Sequence, residues 1–236
     1  MKRTAPVHVL KGKAKKLKRD RSITMTQALD IVAQAEGYNS WSLLQAKATS
    51  PAPRTAGEVL DDLHPGDMLL VGARPGLGKT TFALRLLLRA VAQGRAGWFF
   101  SLEYTPKTFA EKLNALEAGA DGPARLIRTD FADGICADHI IRATEKAVTP
   151  GAVIAVDYLQ LLDQQRDKPS LQRQVEDLKA YARAKRCSMV FLSQIDRAIE
   201  EEGRNKPGLA DVRLPNPLDL GLFNKVVFVE NGRIHA

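Results

Sequence analysis

The chain has 236 residues, 44% of them hydrophobic and 26% charged, enough for one α/β domain of about 180 residues plus a small appendage. No run approaches the 18 or so apolar residues of a membrane span, and no apolar stretch follows the basic N-terminus, so neither a span nor a secretory signal is expected. Of the 35 Lys/Arg and 27 Asp/Glu behind the net charge of +8, nine bases and one acid fall in residues 1–21, which leaves 26 of each elsewhere.

Residues 1–21 therefore read as a basic arm. Lys11, Lys13, Lys15, Lys16, Lys18 and Arg19 are candidates for phosphate contacts with nucleic acid. A solvated, disordered tail is an equal alternative, and a nuclear or organellar address a third. Thr24 and Gln27 then form a capping box for a helix to about Glu36, with Gly37 as its stop. A short helix from about Ser40 to Lys47 follows, and with the first it makes a small helical module over residues 22–48. The segment Thr24–Ala48 weakly resembles a helical module attached to various bacterial proteins. Residues 49–57, rich in Pro, Ser and Gly, read as a linker to a domain spanning 58–236.

From Val59 onward, strand-length apolar runs alternate with helical patterns, which predicts a parallel sheet with crossover helices. Strands are predicted at Met68–Gly72, Gly97–Ser101, Arg125–Arg128, Ala152–Asp157, Ser188–Ser193 and Lys225–Val229, with the clearest helix at Ser170–Lys185. Ligands in such sheets sit at the carboxyl ends of the strands. Cys136 and Cys187 are too few and too far apart for a disulfide framework or a zinc site, which fits a reducing cytoplasm.

The strongest motif is Ala73-Arg74-Pro75-Gly76-Leu77-Gly78-Lys79-Thr80-Thr81, between the first strand and an amphipathic helix. Strand, small-residue loop, Lys-Thr and helix make a phosphate-binding loop, although Ala73 stands where a glycine is usual. Its backbone N–H groups would turn toward a phosphate at the helix N-terminus. Lys79 would reach the β- and γ-phosphates of a nucleoside triphosphate, and the Thr80 hydroxyl would hold Mg²⁺.

Asp157 ends an apolar strand, where a carboxylate is costly unless satisfied; Mg²⁺ is the obvious partner, a turn or helix-cap aspartate the alternative. Glu103 follows another strand end and is a candidate general base, or else a surface residue opening a helix. Gln194 is a neutral amide able to touch a γ-phosphate, or an ordinary loop residue.

The blocks Ala73–Thr81, Phe100-Ser101-Leu102-Glu103, Asp157-Tyr158-Leu159-Gln160-Leu161-Leu162, Leu192-Ser193-Gln194-Ile195-Asp196-Arg197 and Asp211-Val212-Arg213 occur in that order. Together they resemble the motor domain of DnaB-type replicative DNA helicases, RecA-like P-loop ATPases, over about residues 57–230. The resemblance implies an ATP hydrolase using ATP and Mg²⁺. In it Lys79 and Thr80 bind phosphate and metal, Glu103 polarises water, Asp157 supports Mg²⁺, and Gln194 senses the γ-phosphate. It further implies DNA, single-stranded in the first instance, as partner, and a homo-oligomer. The segment 198–214, with Arg197, Arg204 and Lys206, would face nucleic acid, although Glu200-Glu201-Glu202 argues for a merely solvated loop.

Two departures stand out. The family's larger N-terminal domain has no room here, and the chain stops at Ala236 where the family continues to an arginine-finger segment, Arg233 being the last arginine. The rival reading is a nucleotide-gated binding module with little or no unwinding. A P-loop kinase fits less well, because Glu103 with Gln194 suits hydrolysis and no Arg-rich lid is visible.

Overall fold

The computed structural model describes residues 7–36, 40–42, 44, 55–117, 126–163, 168–195, 207–214, 216–230 and 232–235. The chain divides into two units, Met1–Ala52 and Pro53–Ala236, with the division inside the stretch read as a linker.

In the first unit the segment read as an arm is folded over most of its length. Residues Val7–Arg21 form helix α1, and Met25–Ala35 form α2. Leu10 and Ala14 of α1 are fully buried with Ala28 and Ala33 of α2 and with Leu44. The disordered-tail alternative is thereby corrected for residues 7–21, because the apolar i, i+4 pair of α1 finds a partner surface on α2. The capping box of α2 is present as expected: Thr24 Oγ1 accepts from the Gln27 N–H at 3.2 Å, and Gln27 Oε1 accepts from the Thr24 N–H at 3.0 Å. Of the short helix expected at 40–47, residues 41, 42 and 44 are helical and Ser40 lies in a bend; Gly37, Tyr38 and residues 43 and 45–47 lie outside the described residues.

The second unit opens with α3 (Ala56–Asp62), a helix not foreseen, whose first residues fall in the stretch read as a linker (49–57) and which starts under its own capping box of Thr55 and Glu58. Strand β1 (Met68–Ala73) and helix α4 (Lys79–Ala92) flank the phosphate-loop sequence. There follow β2 (Gly97–Ser101), α5 (Pro106–Glu117), β3 (Ile127–Asp130), α6 (Ala137–Thr144), β4 (Val153–Asp157), α7 (Leu171–Lys185), β5 (Ser188–Gln194), β6 (Lys225–Glu230) and β7 (Arg233–His235). The strands form one sheet in the order β3-β2-β4-β5-β1-β6-β7, parallel throughout except for β7.

The inner strands are buried on both faces, as a parallel sheet covered by helices requires. Alternate side chains go to opposite sides. Met68, Leu70, Ile154, Val156, Met189 and Phe191 pack toward α6 and α7. Leu69, Val71, Val153, Ala155, Val190 and Leu192 pack toward α3, α4 and α5. This is the RecA-like α/β architecture expected from the sequence. Two strands differ from the expectation. Residue 125 lies outside the described residues, and β3 runs two residues later than predicted because only Ile127 of this edge strand is buried. The antiparallel β7 was not foreseen, being three residues long. Among the described residues, no helix is long and apolar enough to cross a membrane.

Candidate nucleotide-binding site

The parallel register fixes which strand ends are neighbours. Ser101 pairs with Asp157, Asp157 with Leu192, and Gln194 with Ala73. The four candidate blocks at the ends of β2, β4, β5 and β1 therefore converge on one edge of the sheet, where ligands of such sheets bind.

The loop between β1 and α4 turns on two glycines. Gly76 and Gly78 stand at φ 79° and 95°, in the left-handed region that favours glycine. A Cβ added to either would meet nothing within 4 Å, so the space over the loop is open. Gly78 is the N-cap of α4, and no side chain caps that terminus, so its N–H groups and dipole are available to an anion. Ala73, the substituted glycine, is the last residue of β1 and fully buried; it fills a core position. Arg74 is ion-paired with Glu230 of β6. Pro75 and Gly76 are exposed, while Leu77, Thr80 and Thr81 are half-buried.

Lys79, the first residue of α4, is buried, its Nζ 4.0 Å from Asp157 Oδ1 and 5.9 Å from the centre of the Tyr158 ring. Thr80 Oγ1 donates to Asp157 Oδ2 at 2.8 Å. Asp157 is fully buried at the tip of β4, and its Oδ1 has no hydrogen-bond partner. Burial pushes its carboxyl up from 3.8 to about 6, against the pull of the Lys79 ammonium and the Thr80 hydrogen bond; Glu103 adds a further upward push. That last effect places the exposed Glu103 within electrostatic reach of Asp157, and the Glu103 N–H is anchored on Ser101 Oγ at 3.0 Å.

A magnesium nucleotide fits these residues. An orphaned, buried carboxylate oxygen beside a threonine hydroxyl and a lysine, below an open glycine loop, is the donor set of a phosphate-bound divalent cation. Among the described residues there is no cluster of three or more His, Cys, Asp or Glu, so a hard cation here would draw its remaining ligands from phosphate and water.

Sequence reasoning missed three contributors. Tyr104 contacts Thr80 through a side-chain hydrogen bond, and its hydroxyl is pushed up by burial and then by Asp157. Gln160 Nε2 donates to Ser193 Oγ at 3.1 Å and to the Arg213 carbonyl at 2.6 Å. The Arg213 N–H in turn donates to the Gln194 carbonyl at 2.8 Å, and Ile195 bridges Val212 in antiparallel fashion. Both Gln160 and Arg213 lie inside the quoted sequence blocks, but side-chain-to-backbone pairing across 53 residues leaves no local signal.

Lys11, Lys13, Lys15, Lys16, Lys18 and Arg19 are exposed on α1, in the other unit. Arg197, Arg204 and Lys206 lie outside the described residues.

Residues 55–129 and 137–215 match the family model described as DnaB-like helicase C terminal domain. A probable plasmid replicative DNA helicase of Chlamydia psittaci is 26% identical over 184 residues, covering 64% of this chain and 40% of the relative. Replicative DNA helicase DnaB of Haemophilus influenzae is 25% identical over 222 residues, covering 79% and 46%. The chain thus spans less than half the length of these curated relatives. A solved structure of a DnaB-like replicative helicase, described with its interactions with primase, superposes with a TM-score of 0.56 at 19% identity. That match covers 94% of this chain and 64% of the other.

Proposed function

Since the chain belongs to the DnaB-like helicase C-terminal domain family, we propose that it is a Mg²⁺-dependent ATPase acting on or beside DNA, a compact relative of the replicative motor. The observation that carries the reading is the Lys79–Thr80–Asp157 constellation beneath an open glycine loop.

The N–H groups of residues 76–80 and the Lys79 ammonium hold the β- and γ-phosphates. Thr80 Oγ1 and Asp157 would hold Mg²⁺, Asp157 directly or through water, and the ion would supply neutralisation of charge on the phosphates. Glu103 orients the attacking water and takes its proton. Gln194, hydrogen-bonded through its carbonyl to the Arg213 N–H, registers the γ-phosphate and passes its loss to residues 212–213. Single-stranded DNA is the partner, and a second copy of the chain is the expected source of a charge-stabilising arginine.

ATP turnover with and without a single-stranded oligonucleotide, measured alongside light scattering, tests this. Magnesium-dependent turnover that rises several-fold with DNA supports it. Tight ATP binding with negligible, DNA-insensitive turnover would favour a nucleotide-gated binding module instead.

A further inference from the structure

Helix α1 presents two faces of different character. Val7, Leu10, Ala14 and Leu17 recur at helical spacing and pack with Ala28, Val32, Ala33, Trp41 and Leu44, so its apolar stripe is already covered. The rest of its surface carries Lys11, Lys13, Lys15, Lys16, Lys18 and Arg19, all exposed, against one acid, Asp20. No described Asp or Glu forms an ion pair with any of these six. With the exposed Arg21 at its end, seven cations thus share one helix against a single acid.

We propose that the solvent face of α1 is a docking surface for the phosphate backbone of a DNA duplex. Three observations select this occupant. A basic helix that binds membranes needs a free apolar face, and that of α1 is spent on α2; Val9 is its only exposed apolar residue. A single-strand platform relies on stacking aromatics, and residues 7–21 contain no Phe, Tyr or Trp. A duplex offers one phosphate charge per about 1.7 Å of axis, and the six cations from Lys11 to Arg19 extend over about 12 Å of α1, enough to face several phosphates. The choice of DNA over another duplex polyanion rests on the family reading; the electrostatic argument does not.

The test uses the full chain without nucleotide. Fluorescence anisotropy follows binding to a 20-base-pair duplex and to a single strand of equal length, and co-sedimentation follows binding to phosphatidylserine vesicles, each across a salt series. A variant carrying Lys13→Gln, Lys15→Gln, Lys16→Gln and Arg19→Gln keeps good helix formers, and circular dichroism checks that α1 survives. Loss of at least tenfold in duplex affinity is expected, with the slope of log K against log salt flattened by about 2–4, at about 0.9 per lost phosphate contact. The charge-keeping set Lys13→Arg, Lys15→Arg and Lys16→Arg should bind as the parent does. If the fourfold variant loses helicity, single Lys16→Gln and Arg19→Gln variants should each flatten the slope by about one unit. Unchanged duplex affinity and slope, a larger loss on the single strand, or retention of vesicles in place of duplex would overturn the proposal. Absence of magnesium-dependent ATP turnover in the parent chain, measured separately, with this duplex binding intact would contradict the proposed function alone.

Discussion

Thr80 Oγ1 donates a 2.8 Å hydrogen bond to Asp157 Oδ2 across 77 residues of sequence, joining the start of α4 to the tip of β4. The contact holds the threonine hydroxyl and the buried carboxylate side by side, while Oδ1 of the same carboxylate is left without a hydrogen bond. A strand tip that buries a charge with one oxygen unsatisfied is destabilising unless a ligand completes it.

That cost is readable against pH. In the folded chain the Asp157 carboxyl titrates near 6, above its ordinary value of 3.8, mainly through burial. Its stabilising contribution is therefore complete below pH about 4, where it is protonated in both states, and is lost as pH rises through about 6. Asp157→Asn keeps an acceptor for Thr80 without the charge. Without nucleotide or Mg²⁺, this variant should exceed the parent in stability at pH 8 by about 2–3 kcal/mol, and the gap should close below pH 4. Urea titrations at both pH values check this, and a pH-independent gap would contradict it.

Glu103 is exposed and anchored only through its backbone, so it carries little of the fold. Glu103→Gln should leave ATP affinity within about twofold and lower steady-state hydrolysis about 10²-fold or more, the range of a lost general base. Unchanged turnover would return Glu103 to the status of a surface residue.

Gly72, next to the loop in β1, has a packing role. A Cβ there would lie 2.7 Å from Cδ1 of Phe228, which faces it from β6 in parallel register. Gly72→Ala should destabilise the domain by about 1–3 kcal/mol through overpacking. Adding Phe228→Leu should recover part of the loss, as read in paired denaturation curves. Additive losses in the double variant would show that the two sites do not share this clash.

The inner strands and the positive-φ glycine turn between β1 and α4 were legible because their signals are local: unbroken apolar runs, then Gly76 and Gly78 before Lys79-Thr80. Helix α1 was not, because its dense lysines mask a stripe of Val7, Leu10, Ala14 and Leu17, whose meaning depends on α2 being there to cover it. Helix α3 was not foreseen because its signal, the capping box of Thr55 and Glu58, lies among linker-like residues. The Gln160–Arg213–Gln194 linkage depends on a side chain meeting a distant backbone, which no spacing rule reports.

The central claim is that this strand-edge cluster holds the phosphates of ATP, and Lys79 tests it most directly. The Lys79 ammonium sits 4.0 Å from Asp157 on the first turn of α4, beside the open loop, where a triphosphate would share it. Equilibrium binding of a fluorescent ATP analogue in the presence of Mg²⁺, to the parent and to Lys79→Ala, with thermal unfolding recorded for both, separates binding from folding. The account predicts at least a hundredfold loss of affinity in a variant that still unfolds cooperatively. Undiminished affinity in a folded Lys79→Ala chain would contradict it.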